Sequence, residues 1–302
     1  MDWNEKLKHC TLCPRACGID RTAGKTGFCG MTAELRIARA ALHFWEEPCI
    51  SGTRGSGTVF FSGCHLGCRF CQNYEISHQR KGFPCTISEL SGHFLRLQSE
   101  GAHNINLVTP THFVPQLVQA LTLAKAQGLT IPIVYNCGGY ETCETLSLLE
   151  GLVDIYLPDL KYYKDEYAKK YSGAPHYFET ASAALREMYR QVGALQLDPD
   201  GILKKGVIVR HLLLPGLLFD SKKILDYLIR TYGDQLQISL MSQYTPMPQT
   251  AGIPELFRRI PTGHYDALLN YAAELGAENI YIQDDTSSGE QYIPSFQGDE
   301  PK

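Results

Sequence analysis

Three cysteines, Cys64, Cys68 and Cys71, fall close together in the run SGCHLGCRFCQNYEIS (62–77). A closed metal site built from cysteine normally takes four ligands. Here no fourth lies nearby: His65 is adjacent to Cys64, and neighbouring residues rarely hold one metal together. Three thiolates suit three corners of a [4Fe–4S] cube whose remaining iron stays open to a small molecule. A second group, Cys10, Cys13, Cys17 and Cys29, sits in CTLCPRACGIDRTAGKTGFCG (10–30) with the spacing C-x2-C-x3-C-x11-C. Four thiolates close either a zinc site or an auxiliary [4Fe–4S] cluster. Spacing leaves both open, and the reading leans to iron–sulfur because the first motif already commits the chain to iron–sulfur loading. Cys49, Cys85, Cys137 and Cys143 are isolated and are expected to be buried free thiols.

The cysteine total of this 302-residue chain is eleven. An odd count, tight clustering and the charged N-terminus MDWNEKLKHC, which does not read as a secretory signal, argue against a disulfide framework and for metal binding in the cytoplasm. Net charge is −4 with no Lys/Arg-dense stripe, which argues against a nucleic-acid groove. No apolar run is long enough to span a bilayer, so no membrane partner is expected.

The elements that must position these cysteines are legible from about residue 57. Strands are expected at 58–63, 104–109, 131–136, 153–159, 206–216, 236–244 and 279–284, rich in Val, Ile, Leu and Tyr without strict alternation, as strands buried on both faces read. Helices are expected between them, among others at 112–128 with Gly128 as the stop, at 221–233 with Ser221 as cap, and at 263–277. This alternation predicts an α/β fold, a partial (β/α)6-type parallel barrel, with right-handed crossovers and one strand fewer than a closed barrel of this kind. The expected division is a four-cysteine lobe and lead-in over 1–50, the barrel over 51–290 and a loose tail over 291–302. The cysteine-rich stretch lacks a helical period and reads as a small lobe held by metal. SGTRGSGT (51–58) lacks the Lys-Ser/Thr of a phosphate loop and reads as turn chemistry.

Cys64-x3-Cys68-x-Phe70-Cys71, at the C-terminal end of a buried strand where α/β folds build active sites, resembles the radical S-adenosylmethionine (SAM) superfamily. The resemblance implies that SAM closes the cluster through its amino and carboxylate groups. Reductive cleavage then gives a 5′-deoxyadenosyl radical for hydrogen abstraction, with Phe70 against the adenine. CQNYEIS (71–77), HFWEEPCISG (43–52) and the N-terminal run resemble homologues of pyruvate formate-lyase activating enzyme. That likeness implies an oxidoreductase that activates a glycyl-radical-type partner protein. Radical modification of a peptide or small molecule is the alternative, and an iron–sulfur or zinc scaffold the non-enzymatic one. It also implies a low-potential donor of flavodoxin or ferredoxin type. By the same resemblance Asn73, Asp159 and Lys161 (in LPDLKYY) and His211 contact SAM, and Asn136 points to the barrel mouth. The Gly-Gly-Glu that ends the second strand in many relatives is replaced by NLVTPTHF, where Thr109, Thr111 and His112 stand in as polar contacts without an anion. Arg210 and His211 alternate on one strand, so at most one of them faces the pocket.

Overall fold

The computed structural model describes residues 3–283 and Phe296. Eight strands form most of its sheet: β1 (Arg36–His43), β2 (Ser56–Phe61), β3 (Ile105–Val108), β4 (Ile133–Cys137), β5 (Ile155–Pro158), β6 (Leu203–Leu212), β7 (Gln237–Met241) and β8 (Ile280–Ile282). They lie side by side in chain order from β8 to β1, with the short strand Phe83–Pro84 beyond β1. From β2 to β8 every neighbour is parallel. The helices that frame the sheet are α1 (Trp3–Lys8), α2 (Pro48–Ser51), α3 (Ile87–Ser99), α4 (Val114–Ala126), α5 (Asp165–Ser172), α6 (Tyr177–Val192), α7 (Leu218–Tyr232) and α8 (His264–Glu274), and two further short α-helices span Tyr74–Ser77 and Cys143–Ser147. Each expected strand is found, within a few residues. The fold is the open, mostly parallel α/β arrangement of a partial barrel.

Two elements depart from expectation. The stretch read as a lead-in contains β1, which runs antiparallel along β2 and covers its edge. Ser221 is not a cap: α7 begins at Leu218, and Ser221 is buried in its first turns. The tail expected over 291–302, apart from Phe296, lies outside the described residues, as does Asp284 at the end of the last expected strand.

Alternation along the strands divides the core in two. Val59, Phe61, Ile105, Leu107, Ile133, Tyr135, Tyr156, Val207 and Val209 join the core that also holds Leu90 and Phe94 of α3 and Leu117 and Leu121 of α4. The other parity faces the barrel interior. Val134, Ile155, Leu157 and Ile208 close on Cys49 and Ile50 of α2, which plugs the barrel floor. Above the plug, Phe60 and Val108 pack with Ala38 and Ile76. The interior is therefore apolar low down and open toward the C-terminal strand ends, where polar side chains gather.

The strand-end turns are tightly built. Gly139, after β4, has φ +76°, and a Cβ there would stand 2.1 Å from the carbonyl oxygen of Asp159. That carbonyl also accepts a hydrogen bond from Tyr177 Oη at 3.0 Å. The backbone conformation alone makes Gly139→Ala cost about 1–2 kcal/mol, and displacing a strand-end carbonyl adds to it. Urea unfolding should show this loss, whereas Gly151→Ala, also at positive φ but with nothing within 4 Å, should show the conformational cost alone.

Between α1 and β1, residues 9–35 form neither helix nor strand. This segment has a small apolar cluster of Leu7, Cys10 and Leu12, while Cys29, Met31 and Leu35 belong to the main core. The cysteine-rich stretch is thus pressed onto the barrel.

Candidate active site

The loop carrying Cys64, Cys68 and Cys71 leaves the C-terminal end of β2. All three side chains line one cavity of about 450 Å³ at the mouth of the barrel. Each sulfur has its own hydrogen-bond donor: Leu66 N to Cys64 Sγ at 3.4 Å, Ser172 Oγ to Cys68 Sγ at 3.1 Å, and Ser77 Oγ to Cys71 Sγ at 3.3 Å. Burial pushes the Cys64 thiol up to about 12 and Cys68 up to about 11, and raises Cys71 as well. Such thiols stay neutral unless a cation holds them as thiolates. The donors at sulfur are the contacts that orient cluster ligands and tune their potential. Among the described residues no three His, Cys, Asp or Glu side chains converge on a single ion. That holds for these three sulfurs and for Cys10, Cys13, Cys17 and Cys29 alike, so neither group is preformed round a single ion; three thiols with one donor each fit three corners of an iron–sulfur group.

Phe70, Asn73, Thr109, Asn136, Asp159 and Lys161 line the same cavity. Lys161 Nζ donates to Asp159 Oδ2 at 2.6 Å. Burial alone would depress the Lys161 ammonium, but Asp159 and the thiols of Cys68 and Cys71 outweigh it and hold it above its ordinary range. The pair thus keeps a positive charge on the cavity wall beside the sulfurs, rather than forming a surface bridge. Thr109 adopts φ +58°, a conformation that strains a β-branched residue by about 1–3 kcal/mol. The strain sits where β3 turns along the cavity, fixed by Thr109 N donating to the carbonyl of Asn136 at 2.8 Å.

Thr111 and His211 are not brought to this site. Thr111 Oγ1 donates to Glu141 Oε1 at 2.8 Å, behind the sheet, where burial pushes the Glu141 carboxyl up to about 8. His211 Nδ1 pairs with the carbonyl of Leu160 at 2.7 Å in the core; the strand's parity gives the cavity to Arg210 instead. His112 likewise turns inward, its Nε2 to the carbonyl of Ser62 at 2.7 Å. Cys49, Cys85 and Cys137 are buried free thiols, but Cys143 is exposed, on the first turn of a short surface helix.

Several site residues escaped the sequence reading. Arg15, within the Cys13-x3-Cys17 turn, donates to the carbonyls of His65 and Leu66 at 2.9 Å each, to that of Ser172 at 3.1 Å, and to that of Gly173. It thereby ties the cysteine-rich stretch to the three-cysteine loop and to the serine that donates to Cys68. Arg21 is buried against the carbonyls of Thr32 and His112, with Cys10 Sγ 3.9 Å away. Cys10, Cys13, Cys17 and Cys29 lie near enough to perturb one another electrostatically. Glu46 and Glu47, from the turn before α2, reach up beside Arg210. An arginine inside a cysteine turn and a Glu-Glu pair before a buried helix were the available signals, but their partners are remote in sequence.

A partial parallel barrel with three hydrogen-bonded thiols and a lysine–aspartate pair at its mouth is the arrangement of a cluster-bearing α/β enzyme. Residues 58–228 match the family model of the Radical SAM superfamily, and the chain belongs to that superfamily. It is a radical SAM enzyme, with the [4Fe–4S] cluster and SAM binding that membership entails. An uncharacterized protein of Methanocaldococcus jannaschii is 28% identical over 285 residues, covering 91% of this chain and 77% of that one. Among solved structures, Streptococcus suis SuiB bound to precursor peptide SuiA superimposes with TM-score 0.52 at 11% identity, over 73% of this chain and 46% of SuiB. This chain thus spans about half the length of SuiB, and the likeness is one of fold. A domain of pyruvate-formate lyase-activating enzyme from Bacteroides vulgatus aligns with TM-score 0.42 at 14% identity, over 57% of this chain and 92% of that domain. Among the described residues no helix is long and apolar enough to cross a membrane.

Proposed function

We propose that Cys64, Cys68 and Cys71 hold the catalytic [4Fe–4S] cluster and that the enzyme removes a hydrogen atom from a glycine Cα of a partner protein. The observation that carries the cluster assignment is that three donor-supported thiols from one short loop line the same cavity mouth. When bound, the cluster and SAM supply an electron and a 5′-deoxyadenosyl radical that abstracts hydrogen. The chain's own task is placement. Phe70 offers an apolar face for the adenine, Lys161 a positive charge for the carboxylate of SAM, and Asn73, Thr109 and Asn136 polar contacts between them. Cys64 also borders a second, outer cavity with Arg69 and Arg80, a cationic approach suited to an acidic, low-potential electron donor. Trp45 and Ile282 line the main cavity yet are 66% and 60% exposed, an apolar rim against which a protein loop can dock. The four-cysteine lobe over 1–50 is assigned a second metal of its own, and the barrel proper the residues from 51.

Reduced enzyme and SAM, mixed anaerobically with proteins that co-purify with it, should give a glycine-centred EPR doublet on one of them. Cells grown on α-deuterated glycine should pass that deuterium to 5′-deoxyadenosine. Deuterium arriving from a labelled small molecule instead, with no protein-centred radical, would favour the second reading, modification of a smaller substrate. The charged groups deeper in the cavity support that second reading.

A further inference from the structure

We propose that the cavity floor recognises a protonated amine or guanidinium group of the substrate. The charged side chains lining the cavity, among the described residues, are Glu46, Glu47, Asp159, Lys161 and Arg210. Asp159 and Lys161 are paired at the mouth. What remains below is two carboxylates against one guanidinium. Arg210 is spent largely on Glu47: Nε donates to Glu47 Oε1 at 2.7 Å and the terminal nitrogen to Oε2 at 2.6 Å, a bidentate fork. The same terminal nitrogen also touches Glu46. Burial pushes the Glu47 carboxyl up, but Arg210 outweighs it and holds the group below its ordinary range, so Glu47 is ionised. Glu46 shares this one cation, and its side chain is only 7% exposed. Two carboxylates sharing one guanidinium so far from water leave a net negative charge that is costly to bury.

A second observation points the same way. Asn106 is fully buried on β3. Its Nδ2 donates to Glu46 Oε1 at 2.9 Å, and its Oδ1 has no partner. The amide cannot be turned over to relieve this, because Oδ1 would then face the carboxylate. Asn106 shares its strand face with Val108, which lines the cavity, and lies about 7 Å below it. The orphan carbonyl of Asn106 thus lies beside a pair of carboxylates that share one guanidinium. They call for a positively charged group with several N–H donors. His43 on the same wall does not provide it, since burial lowers its pKa and keeps the ring neutral.

The floor stands just beneath the thiols. Asp159 and Arg210 are bridged across neighbouring strands, and Asp159 carries Lys161 beside Cys68 and Cys71. A cation seated at Glu46, which lines the cavity, would hold the atoms attached to it in the same cavity as the cluster loop. The inference rests on the placement of radical chemistry at that mouth, but its test does not, because it reads binding without reductant. The same chemistry is offered by a lysine or arginine side chain of a peptide and by a free polyamine.

Calorimetric titration of the anaerobically purified enzyme with N-acetyl-lysine methylamide, 1,5-diaminopentane and N-acetyl-norleucine methylamide decides it. At least one cationic probe should bind about tenfold or more tighter than the neutral isostere, the factor expected of a charged hydrogen-bonded contact. The Glu46→Gln variant, which keeps shape and an acceptor for Asn106, should erase that preference. Binding of the lysine derivative alone would assign a peptide side chain, and binding of the diamine alone a free amine. Equal binding of the norleucine probe to the wild-type enzyme, which needs no variant, would overturn the proposal. So would a Glu46→Gln loss of SAM affinity as large as the loss for the probe, since the floor would then hold the SAM ammonium.

Discussion

Alanine at Cys64, Cys68 and Cys71 together reduces 5′-deoxyadenosine formation from SAM below about one-thousandth of the wild-type rate, a small part of what an enzyme typically supplies. The fold survives. The three thiols sit in a loop at the rim; Cys64 and Cys71 are only partly buried and pack at the margin of the core. Each substitution deletes one sulfur, about 1 kcal/mol where the site is buried. Far-UV circular dichroism should stay unchanged and melting should fall by only a few degrees. Single removal of a sulfur's donor is milder. Ser172→Ala, which takes away the hydroxyl at Cys68 Sγ, should shift the cluster's reduction potential and its EPR spectrum without emptying the site. Product formed at the wild-type rate by the triple variant, measured by chromatography after anaerobic reduction, would place the cluster elsewhere in the chain.

What the sequence revealed and what it hid follow from the range of the interactions. The seven parallel strands were readable because burial on both faces makes each a continuous apolar run. The same property concealed parity: with both faces apolar, nothing local says whether Arg210 or His211 turns inward, and in the structure it is Arg210 that lines the cavity. β1 was missed because ARAALH is alanine-rich and short on β-branched residues, and it becomes a strand by pairing with β2. The start of α3, on which the sequence reading made no claim, carries a local signal. Thr86 and Glu89 form a reciprocal capping box whose whole signal lies within four residues. Cys64, Cys68 and Cys71 were likewise local, so their convergence could be anticipated. Glu46, Glu47 and Arg15 act on partners brought near by the barrel's closure, and their types alone do not name those partners.

The four-cysteine stretch carries the other large effect: stripping the second metal proposed for it should lower the melting temperature by more than about 10 °C. The argument turns on Arg21, which is 1% exposed. Its nitrogens meet the carbonyls of Thr32 and His112 and the sulfur of Cys10. Among the described residues no carboxylate is paired with it. A guanidinium buried without an anion costs several kcal/mol. Burial pushes the Cys13 thiol up to about 12 and raises Cys29 against the opposing charge of Arg21, so without metal these two thiols stay neutral and offer Arg21 no counter-charge. A metal bound by four thiolates makes the site anionic and supplies it. A deficit of about 3–5 kcal/mol on removal corresponds to roughly 5–8 °C for a chain of this size, and the binding energy of the metal itself carries the loss past about 10 °C. The loss should spread to the catalytic loop, because Arg15, seated between Cys13 and Cys17, holds the carbonyls of His65 and Leu66. Chelation of the Cys64/Cys68/Cys71 alanine variant isolates the lobe, and metal analysis beforehand should find about four irons or one zinc. Arg21→Met supplies the sign test. It should destabilise the metal-loaded protein, where the charge is paired, and stabilise the stripped protein, where it is not. A folded variant that holds neither metal and melts alike with and without chelator would mean that the four cysteines serve packing alone.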